Sequence, residues 1–186
     1  MIEPREATPN GNVLTFLAGA LTGAFAVRVL PPVIAQLAGA MRDPFDDLTA
    51  DHRNFVRLLR SMEESGPDEP VRRTALLLRL KRGLAAHAMA EEDVVYPLLH
   101  DEAEVEEEAK QLYDDHGDIK IHMYALERMR KDDPAWRDRV RRLRMIIEDH
   151  ARQEETIEFP RLRRVLRDGG MTRMAADVQR EKSLIL

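Results

Sequence analysis

No cysteine occurs anywhere in the chain. That absence excludes disulfides, iron–sulfur clusters and thiol nucleophiles, so any metal must be held by imidazole, carboxylate or phenolate groups. It also fits an intracellular compartment. Aromatic residues make up only 5% of the chain, with 9 glycines and 10 prolines in 186 residues, while charged residues reach 34%. Sheet proteins draw on β-branched and aromatic residues, whereas long solvated helices tolerate this charge density, so the composition points to an all-α chain. An excess of one charge is missing too, since 34 acidic residues face 29 basic ones. Nothing in that balance calls for nucleic acid, and no nucleic-acid partner is expected. The length allows one domain with a sizeable core and an appendage, not two full domains.

Long hydrophobic runs are equally scarce, with one exception. Asn12 to Leu30, NVLTFLAGALTGAFAVRVL, is apolar except at Arg28. As a helix it would reach about 28 Å, close to the hydrocarbon thickness of a bilayer. Gly19 and Gly23 form a G-x-x-x-G pair among alanines, a face that lets membrane helices approach closely. Two readings stand. One is a membrane anchor that leaves a cytoplasmic domain at the inner face of the cell membrane, because Arg28 and Arg42 follow the apolar run. The other is a hydrophobic helix buried in a homo-oligomer interface, which Arg28 and the break at Pro31-Pro32 favour. The expected organisation is a hydrophobic N-terminal segment over 1–42, a main domain over 43–168, and a short C-terminal helix and tail over 169–186.

From Asp43 onward, turn signals at Gly66-Pro67-Asp68, after His100, at Asp133-Pro134 and at Gly169-Gly170 separate four long helices from a short fifth. Apolar positions in each helix advance by threes and fours, the spacing of a stripe facing a bundle core. The stripes run Phe45, Leu48, His52, Phe55, Leu59, Met62; Leu80, Leu84, His87, Glu91, Val94, Leu98; Leu112, His116, Ile119, Met123, Leu126; and Val140, Leu143, Ile147, His150, Glu154, Ile157. Every stripe contains a histidine, and the second and fourth add a glutamate one turn later. Six polar groups in a core would each cost several kcal/mol unpaired, so something buried must satisfy them together. Folding the chain about its turns brings His87, His116 and His150 to one layer and leaves His52 about a turn from His87. Four histidines and two glutamates exceed one tetrahedral zinc. Two iron ions suit this donor set best, with manganese or a mixed pair as further options.

The pattern is duplicated. Asp51-His52 recurs as Asp115-His116, and His87-x-x-x-Glu91-Glu92 recurs as His150-x-x-x-Glu154-Glu155, followed by Tyr96-Pro97 and Phe159-Pro160. In these motifs, over residues 43 to about 167, the sequence resembles the hemerythrin-like, HHE cation-binding family. The resemblance implies an up-down-up-down four-helix bundle with a non-heme di-iron centre, and makes His52, His87, Glu91, His116, His150 and Glu154 the metal ligands. It further implies reaction with, or sensing of, O2, peroxide or nitric oxide. Iron sensing or buffering without turnover, and a scaffold with a structural metal, are the competing classes. One departure matters. Oxygen carriers of the family place two histidines a turn apart on the third helix, whereas here Lys120 and Leu112 flank His116 at that spacing, which speaks against reversible oxygen carriage. Beside these six, Glu92 and Glu155 can be alternative ligands, orient a histidine or simply edge the helix, and Asp51 and Asp115 are expected at the surface or at a helix start. Tyr96 is a candidate phenolate, although Phe159 at the equivalent place argues for an aromatic ring alone.

Overall fold

The computed structural model describes residues 43–101, 105–166 and 168–185, and all regular structure among them is helical. The hydrophobic segment 12–30 lies outside the described residues. Among the described residues, no helix is long and apolar enough to cross a membrane. The helices are α1 (Pro44–Glu64), α2 (Pro70–Ala90), α3 (Tyr96–His100), α4 (Glu106–Arg128), α5 (Trp136–Gln153), α6 (Phe159–Val165) and α7 (Asp168–Ser183). A π turn at Glu91–Val95 joins α2 to α3, and a second at Glu154–Glu158 joins α5 to α6.

Helix α1 starts where capping chemistry dictates: Asp43 accepts the Phe45 N–H at 2.9 Å, Pro44 occupies the first turn, and Asp46 and Asp47 complement the dipole. Its partners are α2 and α5, while α4 packs on α5 and α3. Helix α2 packs tightly on α1 at Gly83, where a Cβ would lie 2.8 Å from the Phe55 ring. At the turn end of the bundle, the Arg73 guanidinium is buried. It donates to the Ser65 carbonyl at 2.6 Å and the Lys131 carbonyl at 2.5 Å, tying two loops together. Arg73 is therefore a structural bolt and not part of a basic face.

The two π turns alter the predicted stripes. Pro97 and Pro160 have no N–H to give to the carbonyl four residues earlier, and a turn widened to i→i−5 accommodates that loss. The Tyr96 N–H accordingly reaches the Glu91 carbonyl, and the Phe159 N–H reaches that of Glu154. One extra residue per turn rotates everything beyond it. Leu99 is buried in place of the predicted Leu98, and Glu158 in place of the predicted Ile157, leaving Ile157 49% exposed. The start of α5 also falls two residues after Pro134, and α7 begins before Gly169-Gly170, so those glycines lie inside a helix and not in a turn.

Helix α7 packs along α2, the first π turn and α1. The apolar core falls into two clusters, one around Phe45, Leu48, Tyr96, Leu112, Phe159 and Val178, the other around Phe55, Leu59, Leu80, Ile119, Trp136 and Ile147. Between them along α1 lies His52, and along α4 lies His116.

Candidate metal centre

All six predicted ligands are buried, none more than 4% exposed. The histidines meet in two pairs. His52 Nε2 lies 2.9 Å from His87 Nε2, and His116 Nε2 lies 3.2 Å from His150 Nε2. The expected one-turn offset between His52 and His87 is thus absent; the loop at residues 65–69 absorbs it, with the Gly66 N–H bound to Glu69 Oε2 at 2.8 Å. Glu91 approaches both pairs, at 3.0 Å from His87 and 3.4 Å from His116, with His52 at 3.9 Å. Glu154 does the same from the other side, 3.3 Å from His52 and 3.4 Å from His150. Atoms of His52, Glu91, His150 and Glu154 lie within 4.8 Å of one another and could hold a metal ion.

Three of the four rings have a carboxylate within 3.3 Å of their outward nitrogen, and His150 has one farther off, its Nδ1 making no hydrogen bond. His52 Nδ1 meets Glu155 Oε1 at 2.9 Å and His116 Nδ1 meets Glu92 Oε1 at 2.8 Å. His87 Nδ1 is 3.3 Å from Asp51, and His150 Nδ1 is 3.7 Å from Asp115. Under the internal repeat these four contacts form two equivalent sets. A carboxylate at Nδ1 keeps the proton there and leaves the Nε2 lone pair bare. Two bare lone pairs about 3 Å apart repel unless a cation stands between them, and nitrogen ligands of one metal, each about 2.0–2.1 Å from it, have this separation. Both Glu91 oxygens and Glu154 Oε2 are buried without a hydrogen-bond partner, which poses the same demand. The donor set therefore fits a metal.

Without metal the cation is a proton. Burial opposes a charged His87, but Glu91 and Asp51 outweigh it and raise its pKa to about 9. His116 is likewise pushed to about 9, against burial, by Glu91 and Glu92. Burial would raise Glu91, yet His87 and His116 hold it well below its ordinary range.

Tyr96 enters the layer as well. Its hydroxyl donates to Glu154 Oε1 at 2.8 Å and lies 3.0 Å from His116 Nε2, while burial and the charges of Glu91 and Glu154 push the phenol well above its usual range. At the equivalent place, Phe159 stacks parallel to His52 with 6.2 Å between ring centres. The position therefore holds an aromatic ring in both halves and a polar group in one. Asp51 and Asp115, expected at the surface, instead cross to the histidine of a neighbouring helix. Their signal is the repeated Asp-His dipeptide: one residue before a core position on a helix faces the adjoining helix and not open water. His100 is exposed and His122 half-buried, as neither stripe includes them.

A cavity of about 470 Å³ reaches this layer, touching all four histidines. Its walls are largely apolar, with Phe55, Leu84, Ala88, Ile119 and Met123, and its mouth carries Lys81 and Lys120. Both lysines are neutralised, Lys81 by Glu127 and Lys120 by Glu92, the latter at 2.7 Å.

Comparison with known proteins bears on the fold and the family. A crystal structure of a hemerythrin HHE cation binding domain-containing protein from Mycobacterium kansasii shares the fold, with a TM-score of 0.64 at 22% identity, covering 77% of this chain and 90% of that one. A protein of Nostoc sp. described as a DNA nickase is 29% identical over 140 residues, which is 75% of this chain and 39% of that protein. The chain thus spans well under half the length of that curated relative. The family profile described as the hemerythrin HHE cation binding domain matches residues 43–162. The chain belongs to the hemerythrin HHE cation-binding family.

Proposed function

We propose that this chain is a non-heme di-iron protein that reacts with or senses O2, peroxide or nitric oxide in the polar layer of an up-down-up-down four-helix bundle. His52, His87, His116, His150, Glu91 and Glu154 would hold the metal, each histidine pair offering two nitrogens and each glutamate lying near a histidine of both pairs. The observation that carries this reading is the paired, inward-aimed Nε2 atoms, 2.9 and 3.2 Å apart, with three of the four rings held from behind by carboxylates. Bound iron would supply one-electron redox chemistry and open positions for a small ligand. The protein's own part is selection and proton placement. An apolar cavity whose two lysines are paired, and whose rim carries Asp93 besides, admits small uncharged molecules and disfavours anions. Tyr96 keeps its hydroxyl proton and donates it in a hydrogen bond to Glu154, beside the histidines. Lys120 stands where oxygen carriers have a further histidine, yet it is bound to Glu92 and leaves the layer with four imidazoles. That supports reaction over reversible carriage.

Iron sensing or buffering would use the same ligands, and the cavity would serve metal exchange equally well. The DNA-nicking name of the Nostoc relative belongs to a much longer protein, and the net charge of −5 here favours a small neutral ligand over DNA.

Metal analysis of protein purified without chelators is expected to find about two irons per chain, with a visible absorption in air that reductant bleaches. His150→Ala should lose metal and helical stability together. A single stoichiometric zinc, with no iron uptake during anaerobic reconstitution, would sink the di-iron reading. Peroxide consumption by the reduced protein separates reaction from buffering. Oxygen bound and then released intact under vacuum, over repeated cycles, would restore the carrier function.

A further inference from the structure

The repeat that makes the two halves of the layer alike breaks at one place. In the second half, Gln111 stands one turn before Asp115 and donates its amide to that carboxylate at 2.7 Å, fixing a group that lies 3.7 Å from His150 Nδ1. Sixty-four residues earlier, the place of Gln111 is taken by Asp47. An aspartate cannot donate to Asp51, and two carboxylates a turn apart on one helix repel. Between them lies Lys182, only 8% exposed, with Nζ 2.8 Å from Asp47 and 2.7 Å from Asp51. Lys182 comes from α7, beyond the residues 43–162 that the family profile matches. Gln179 of the same helix adds a bond to Asp47 at 2.9 Å.

We propose that Lys182 is a positioning residue of the metal centre: it does for Asp51 what Gln111 does for Asp115, and completes a Lys182–Asp51–His87 chain. Helix α7 is therefore part of the centre and not merely an extension of it. The two halves also differ electrostatically, since an ammonium stands behind His87 and a neutral amide behind His150. Two metal positions served by these histidines are inequivalent, and the His52/His87 position depends on the C-terminal helix. This rests on the reading that the layer holds two metal ions, whatever their identity.

The test uses the full-length protein loaded with Zn²⁺, which is diamagnetic, and measures affinity by competition with a chromogenic chelator. Lys182→Met should weaken one of the two bound ions about 10- to 100-fold, the usual effect of losing an outer-shell partner, and leave the other unchanged. It should also move the His87 imidazole N–H proton resonance and not that of His150. Lys182→Arg should stay near wild type. The decisive variant is Asp47→Gln with Lys182→Met, which places the second half's amide in the first half. Recovery of most of the lost affinity is expected, because the amide can now hold Asp51 without the lysine. A double variant as weak as Lys182→Met would overturn the proposal, showing that the lysine only docks α7. So would a Lys182→Met protein that binds both ions as tightly as wild type. Wild-type protein that takes up no Zn²⁺ would overturn the metal reading itself, and this inference with it.

Discussion

Three of the four imidazoles in the layer, those of His52, His87 and His116, are held from behind by a carboxylate from another part of the bundle, and this determines what their inner nitrogens can do. In the metal-free protein a proton takes the place of the metal, and His87 and His116 titrate near pH 9 instead of 6.5. A histidine whose folded value is raised stabilises the fold fully below its unfolded value and loses that contribution as pH climbs through the folded one. Chelator-treated protein is therefore expected to unfold more easily as pH rises from about 6.5 to about 9. Metal competes for the same nitrogens, so loaded protein should not follow this decline, and its metal uptake should release protons. Thermal unfolding of both forms across this interval is the measurement. Metal-free protein that grows more stable as pH rises would show that the imidazolium–carboxylate pairs are not formed. At this scale the six buried polar residues of the layer are legible in the sequence, because a polar residue that recurs in an apolar stripe is too costly to bury without a partner. Lys182 is not legible, since nothing in its own neighbourhood distinguishes it from any solvated lysine.

Among the elements, the π turns matter most to the layer. They let each His-x-x-x-Glu segment end in an aromatic-proline pair without breaking the helix, and they bring Tyr96 and Phe159 round to the histidines. A strict 3.6-residue period cannot anticipate the extra residue. Leu98 and Ile157 therefore leave the predicted stripes, while every stripe residue up to Glu91 and Glu154 stays on or beside the core face. The approach of α1 to α2 is the second determinant. Phe55 is buried and its ring meets His87 edge-on, with 5.2 Å between centres. It has no room to retreat from a side chain at residue 83. Gly83→Ala should gain up to about 1 kcal/mol of helix propensity yet lose about 1–3 kcal/mol to overpacking, for a net destabilisation with weakened metal binding. Urea unfolding reads the first effect and chelator competition the second. A variant more stable than wild type would mean that the two helices can separate without disturbing the layer.

For the whole molecule, the bundle and the hydrophobic N-terminal segment make separate demands. The membrane reading of residues 12–30 predicts that the full-length chain sediments with membranes and resists extraction by salt. A chain beginning at Met41 should remain in the supernatant and keep its metal, since no ligand lies before His52. Fractionation followed by metal analysis checks both. Full-length protein found entirely in the supernatant as a defined oligomer, with 12–30 protected from proteolysis, would favour burial between copies. The bundle itself offers an entry route through its cavity and a C-terminal helix that braces one half of the site.

What the sequence determined by itself was the helical class, the duplicated halves, the core stripes and the six polar residues that interrupt them. All of these are periodic and local, written at spacings of three, four and sixty-three or sixty-four residues, and a helix converts such spacings directly into faces. The tertiary structure decided the rest. It set which histidines pair, that Asp51 and Asp115 stand behind rings on neighbouring helices, that the cavity leads to the layer, and that Lys182 replaces the donor missing at Asp47. Those contacts join residues 34 to 135 positions apart. Their register depends on loop lengths, on the π turns and on the packing of α7, none of which leaves a repeat in the chain.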